Sequence, residues 1–333
     1  MIVGEETGST EAALTRGGAG RRAWSQRRAA YAAPLVVALV TAGLLVAFEP
    51  NFYRLANLHL LMQQFAVLGL VTLGQLLVLL VAGIDLSVGA VMNASLIVIA
   101  LMNQHESRLA LSIAASLGLG AAVGLANGLF VSFRVVPPFA ATLGTTAVVQ
   151  GAILVYTKGV PAGNIPGSLR PIALHGIGIV PWAFVLCVGI ALVLLVALRR
   201  GTFGRKIYAV GRSPEVAARV AISPTAVRVA AYVACGVLAA LAGIVLSAYV
   251  GYVDPTIGGN YNLESIAAAV LGGVAFTGGE GGAIGALAGA AFLLVLLNVV
   301  VLSSVSPFTQ LIVQGVVMLG AVSIFQVLKN RSS

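Results

Sequence analysis

The chain has 333 residues, of which 59 % are hydrophobic and only 9 % charged, with a net charge of +9. Soluble domains carry about 25 % charged residues, so this chain lacks the surface that a water-soluble protein needs. Its Arg residues gather at the ends of apolar runs, as topology signals do, which argues against nucleic acid as a partner and for a lipid bilayer as the solvent.

Residues 1–30 are rich in Gly, Ala and Arg without an apolar period, and read as a disordered tail. Arg16, Arg21, Arg22, Arg27 and Arg28 precede the first apolar run, as in a signal peptide. No small-residue cleavage site follows, and the run continues into Phe48-Glu49-Pro50, so an uncleaved first span is expected. A span needs about 20 apolar residues. On that basis residues 31–328 form one all-α transmembrane domain, with spans at 31–48, 58–82, 86–102, 109–132, 137–156, 181–198, 226–250, 261–276, 282–303 and 308–327. The third and eighth are short, so each is expected to be tilted, broken or re-entrant. The 40 glycines fit close packing of membrane helices. Cys187 and Cys235 lie within apolar runs and read as small apolar filler, not as a disulfide or metal site.

Lys and Arg set the orientation. The tail holds five Arg. The segment 199–228 holds Arg199, Arg200, Arg205, Lys206, Arg212, Arg219 and Arg228 against one acid, Glu215, and Lys329 and Arg331 close the chain. All three regions belong on the cytoplasmic side, which requires an even number of spans between them; six and four satisfy this. Both termini are then inside, and the link 157–180 faces outward as an ordered, turn-rich loop. A weak repeat pairs Asn127, Pro138-Phe139 and Gln150-Gly151 with Asn298, Pro307-Phe308 and Gln314-Gly315. With opposite directions on this topology, it predicts two inverted five-span halves.

Within the large cytoplasmic loop, Ser213 is placed to cap a helix, with Pro214 at its first position and Glu215 near the positive end of its dipole. Glu215 and Arg219 share a face four residues apart, and Ser223-Pro224 ends the helix and starts the next span. A plain connector also fits. A short capped helix is what a membrane protein needs to receive force from a soluble partner. Gly278-Gly279-Glu280-Gly281-Gly282 lacks the Lys and Ser/Thr of a phosphate-binding loop and reads as a tight turn between spans.

The sequence resembles the permease subunits of bacterial ATP-binding-cassette importers for monosaccharides of the ribose, xylose and galactose type. Gly83-Ile84-Asp85-Leu86-Ser87-Val88-Gly89 carries the most specific part of the resemblance. It continues through Asn127-Gly128-Leu129, Val136-Pro137-Pro138-Phe139, Thr142-Leu143-Gly144-Thr145, Gly204 to Ala221, Asp254-Pro255-Thr256, Glu264-Ser265-Ile266-Ala267-Ala268, Leu271-Gly272-Gly273 and Ser306-Pro307-Phe308. Coverage runs from about residue 34 to 327; Glu280 departs from the pattern, at a position expected to be basic or small. The resemblance implies a fold like that of the ten-span vitamin B12 permease and a homodimer or heterodimer of permeases in a bacterial cell membrane. It also implies two cytoplasmic ATPase subunits that bind the ATP, and an outer sugar-binding protein. The chain itself carries no nucleotide motif, no catalytic constellation and no metal site, so no enzyme activity or cofactor is expected of it.

Asp85, an ionisable group between spans, is a candidate for gating or the pathway, or for capping the third span through backbone N–H groups near Ser87 and Val88. Asn93, Asn127, Thr142, Thr145, Gln150 and Gln314 are neutral polar groups within spans. They suit sugar hydroxyls along a pathway, and equally suit hydrogen bonds between helices. Arg205, Arg212, Ser213, Pro214, Glu215 and Arg219 are the candidates for ATPase coupling within 199–225. Asp254 and Glu264 sit toward the outer side, for docking or helix capping. An ion-coupled transporter using Asp85, or a permease for branched-chain amino acids or nucleosides, are the competing functions.

Overall fold

The computed structural model describes residues 49–302, apart from 103–107, 134–135 and 161–163, together with scattered positions at 43, 47 and from 303 to 320. The tail, most of the first and tenth predicted spans, and Gln314 lie outside the described residues. The other eight predicted spans each coincide with a helix.

In chain order these are α1 (Leu55–Leu80), α2 (Val88–Met102), α3 (Leu109–Ser132), α4 (Pro138–Thr157), α6 (Trp182–Arg200), α9 (Pro224–Val250), α10 (Tyr261–Leu271) and α11 (Ala283–Leu302). Between them lie the short helices α5 (Arg170–Leu174), α7 (Thr202–Arg212) and α8 (Pro214–Arg219). Six of the helices are long and apolar enough to cross a membrane. The exceptions are those flagged as short. At 1.5 Å per residue, α2 with 15 residues reaches about 22 Å and α10 with 11 about 16 Å, against a hydrocarbon core of about 30 Å. Both follow a stretch of irregular chain, so each is a broken helix.

The core forms around α1, whose 26 residues include no Asp, Glu, Lys or Arg. It is enclosed by α6, α9, α10 and α11, and from Ala66 to Leu80 every residue is buried. A helix apolar all round has no solvent face to offer, and burial at the centre is its stable place. α9 packs on the other side against α2 and α3. Gly120, Gly124 and Gly128 form one stripe of α3, and a methyl on any of them would meet the backbone of Gly236, Tyr232 or Val229 on α9. Small residues four apart let two backbones approach in this way.

The link after α4 is ordered from Asn164, as expected. After a 3-10 turn and α5, strand β1 (Gly176–Ile177) pairs antiparallel with β2 (Val180–Pro181). The loop docks onto the start of α1: His59 Nδ1 lies 2.9 Å from the Ile179 carbonyl, and Gln63 Nε2 donates to Ala173 O at 2.8 Å. The segment between α6 and α9 is not one short helix but two, α7 and α8, lying across the other end of the molecule. Here Gly211 lies against the Leu80 carbonyl, where α1 ends. This end is called the basic face below.

Candidate functional site

α1 reaches the basic face and stops in a Schellman turn. Ala82 adopts φ 59°, its N–H bonds Leu79 O, and Gly83 N–H bonds Val78 O. The chain then runs back inward as Ile84-Asp85-Leu86-Ser87 before α2 begins. Non-helical backbone at this depth has no water, so its polar groups need partners from the protein. Each is supplied. Ile84 O accepts from Tyr232 Oη at 3.2 Å and Thr142 Oγ1 at 3.4 Å, and Leu86 O accepts from Thr146 Oγ1 at 2.9 Å. The Gln75 side-chain amide, with its oxygen and nitrogen assigned by this network, accepts from Asp85 N at 3.2 Å and donates to Asp85 O at 3.1 Å.

Asp85 is 1 % exposed. Its Oδ1 accepts from Ser87 N at 2.8 Å, Ser87 Oγ at 2.6 Å and Asn127 Nδ2 at 3.4 Å. Asn127 Nδ2 also donates to Ser87 Oγ at 2.8 Å. The carboxylate therefore closes a local Asx turn that Asn127 ties to α3.

The second break has the same construction. After α9, Asp254 Oδ1 accepts from Thr256 N and Thr256 Oγ1, both at 2.8 Å. Aligned on the two aspartates, Asp85, Ser87, Gly89 and Asn93 correspond to Asp254, Thr256, Gly258 and Asn262. The bonds between the copies are reciprocal. Gly89 N donates to Asn262 Oδ1 at 2.6 Å, and Gly258 N donates to Asn93 Oδ1 at 2.7 Å. Gly89 and Gly258 also face each other so closely that a methyl on either would run into the other's carbonyl. A local two-fold thus passes between two helices that start inside the molecule and run in opposite directions. This repeat lies on a different stretch from the one read from Asn127 and Pro138-Phe139. In the pairs first read, Asn298 exchanges bonds with Asn57 at 2.9 and 3.0 Å, while Pro307, Phe308 and Gln314 lie outside the described residues.

One row on α4 serves both breaks. Thr142, Thr146 and Gln150, four apart, meet Ile84 O, Leu86 O and Pro255 O, the last at 2.8 Å from Gln150 Nε2. Asn93 Nδ2 donates to Gln150 Oε1 at 3.2 Å. Asp85, Asn93, Asn127, Thr142 and Gln150 are thus brought together around the two breaks. Thr142 and Thr146 also bond carbonyls of their own helix, Pro138 O at 3.0 Å and Thr142 O at 2.7 Å, whereas the bond given by Thr145 is to Ala141 O of that helix alone, at 3.1 Å. Gln75, Thr146, Tyr232 and Asn262 were not singled out from the sequence. The four-residue spacing of the α4 row and the recurrence of Asp-x-Ser and Asp-x-Thr were the available signals. Replacing Thr146 by Val removes one donor to a buried carbonyl. We expect a loss of about 1 kcal/mol, read as a melting temperature a few degrees lower for the purified protein.

On the basic face, Ser213 caps α8 by accepting from Val216 N at 3.3 Å, with Pro214 at its first position, and Ser213 Oγ donates to Glu215 Oε2 at 3.1 Å. A second Schellman turn ends α8: Ala221 has φ 60°, and Ile222 N bonds Ala217 O at 3.1 Å. Ser223 then caps α9 through Ala226 N at 3.3 Å. Arg212, Glu215, Val216, Arg219 and Val220 are exposed, whereas Ala217 is buried against the domain. Arg205 is exposed and its Nη1 donates to Arg200 O at 3.2 Å.

The turn between α10 and α11 is seated on α7. Gly279 N donates to Leu80 O at 2.9 Å, and Tyr208 Oη donates to Gly281 O at 2.8 Å. Gly278 and Gly279 have φ 82° and 70°, and a Cβ on Gly278 would stand 2.8 Å from Gly211 O. The turn needs glycine for both reasons. Burial pushes the Tyr208 phenol above its ordinary pKa, with Arg199 opposing, so it stays a neutral donor.

Residues 57–322 match the family model described as branched-chain amino acid transport system / permease component. The chain is 35 % identical over 295 residues to the ribose import permease protein RbsC of Escherichia coli (strain K12), covering 86 % of this chain and 91 % of that one. It is 36 % identical over 268 residues to the fructose import permease protein FrcC of Rhizobium meliloti, covering 77 % and 73 %. It is 34 % identical over 291 residues to the autoinducer 2 import system permease protein LsrC of Enterobacter sp. (strain 638), covering 85 % and 82 %. No solved structure matches the chain.

Proposed function

Because the chain belongs to the family of permease components of the branched-chain amino acid transport system, we propose that it is the membrane-spanning subunit of an ATP-driven importer that carries a monosaccharide. The observation that carries this reading is the match to sugar import permeases over most of both chains. On it, a second permease copy completes the pathway in a bacterial cell membrane. An outer binding protein delivers the sugar, and two ATPase domains hold the ATP on the basic face, which is then cytoplasmic together with both termini. The helices α7 and α8 receive the ATPase stroke, and their exposed Arg212, Glu215 and Arg219 suit a soluble partner. In this reading Asp85, Asn93, Asn127, Thr142 and Gln150 hold the broken helices in register beside the pathway rather than bind sugar tightly, and Thr145 and Gln314 remain pathway candidates.

The test is reconstitution of the assembled transporter in vesicles. Monosaccharide uptake is expected to need ATP and the binding protein and to survive collapse of the ion gradients. Uptake that stops with the gradient points to an ion-coupled carrier, and uptake of leucine alone points to an amino-acid permease. Replacing Arg212, Glu215 and Arg219 together by Ala is expected to weaken ATPase co-purification by about tenfold or more, since a few residues, Arg prominent among them, carry most of an interface's energy. Unchanged association sinks the coupling assignment.

A further inference from the structure

The internal repeat separates residues that hold the backbone from residues that do not. Asp, Ser or Thr, Gly and Asn recur in both copies because both breaks need the same hydrogen bonds. At five other positions the second copy is larger or more polar than the first. Leu80, Gly83, Val91, Met92 and Ser95 of the first copy are all buried. Their counterparts in the second copy are Tyr249, Tyr252, Asn260, Tyr261 and Glu264. Three aromatic rings, an amide and a carboxylate thus replace small or aliphatic groups at positions where the scaffold itself is satisfied by the latter.

These same five side chains line one cleft of about 500 Å³ at the end of α9 far from the basic face, closed on one side by the first turn of α10. Small-molecule sites run from about 300 to 1,000 Å³. Tyr252 is 58 % exposed, Asn260 is exposed, and Glu264 is half-buried, so the cleft opens to the outside of the domain. A Glu at this depth is tolerated when it lines a wetted cavity, and such a residue is a functional candidate. The chemistry matches a polyol ring. Phenol rings offer flat apolar faces to C–H bonds and hydroxyls at their edges, while a carboxylate and an amide accept and donate to vicinal hydroxyls.

The geometry points to an outward-facing monosaccharide site formed by Tyr249, Tyr252, Asn260, Tyr261 and Glu264, where the sugar pauses after release from its binding protein. The inference rests on the importer reading for its substrate class, but its asymmetry and its cleft are independent of that reading.

The experiment has two arms. In the first, the purified full-length chain in nanodiscs is titrated with D-ribose, D-fructose and L-leucine under saturation-transfer NMR. Both sugars, or one of them, are expected to give a signal that leucine does not. Glu264→Gln and Tyr252→Ala should each weaken that signal by about tenfold, the usual consequence of losing a charged hydrogen bond or an aromatic face. Tyr53→Ala, an equally exposed tyrosine outside the cleft, should not change it. In the second, the assembled transporter in vesicles should show a raised KM for sugar delivered by its binding protein, with kcat retained, in the same two variants. No sugar signal from the wild-type chain, an equal signal from leucine, or cleft variants that match wild type overturns the site. If the cleft binds sugar while the assembled transporter imports none, the importer reading fails and the site stands. If sugar is imported and the cleft variants behave as wild type, the site fails and the importer reading stands.

Discussion

Gly89→Ala is expected to eliminate folded protein. Measured as the monodisperse peak in size-exclusion chromatography of detergent extracts, the yield should fall at least about tenfold, with any remainder melting well below wild type. The added methyl has nowhere to go. It would meet the Gly258 carbonyl and lie 2.5 Å from Asn262 Oδ1, the atom that accepts the Gly89 N–H. Relief requires moving the whole start of α10, which breaks both reciprocal bonds and leaves buried N–H groups unpaired at about 1–3 kcal/mol each. Domains have only about 5–15 kcal/mol in total. Gly189 on α6 has open space around its Cα, so Gly189→Ala is the matched control and should leave the peak unchanged. Equal yields from the two variants would contradict the close approach of the two broken helices.

At Asp85 the prediction turns on which substitution is made. One oxygen, Oδ1, accepts from Ser87 N, Ser87 Oγ and Asn127 Nδ2. Asp85→Ala removes that acceptor and strands the Ser87 N–H and hydroxyl, while Asn127 keeps its bond to Ser87 Oγ, so a destabilisation of about 2 kcal/mol or more and complete loss of uptake are expected. Asp85→Asn keeps an oxygen in the same place, and its melting temperature should stay within a few degrees of wild type. The pair also discriminates mechanisms. A carrier that moves a proton or sodium on Asp85 needs the charge, and Asn would abolish its transport while leaving the fold intact. An importer driven by its ATPases should retain uptake with Asn and lose it with Ala. Failure of Asn with intact folding would reopen the ion-coupled reading.

Much of the architecture was legible in the sequence because a membrane imposes a length on each apolar run. The helix bounds from Leu55 to Leu302 follow the predicted spans to within a few residues, except α10, which stops at Leu271 because Gly272 and Gly273 begin the turn. The caps at Ser213 and Ser223 were legible for a local reason: a Ser before a Pro is read by its own next turn. α7 was missed because Thr202 to Arg212 has neither the length of a span nor a capping side chain, and its glycines and charges suggest a loop. The site was legible only as an inventory. Polar residues in spans could be named, but whether Gln150 faces a sugar or the Pro255 carbonyl depends on the fold of a segment 105 residues away. The repeat escaped at the breaks because only Asp, Gly and Asn are identical between the copies, and no short window of sequence makes that pattern stand out.

The seating of the Gly278–Gly281 turn has a mechanical corollary. Leu80, which leads into the first break, and the turn, which follows the helix of the second, are hydrogen-bonded to each other and wedged together against Gly211. α7 therefore has the shape of a yoke: the end of α1 and the turn after α10 meet against it at a single point. A push delivered there would have two arms, reaching Asn93 through α2 and Asn262 through α10. The two broken helices would be displaced together, not in sequence.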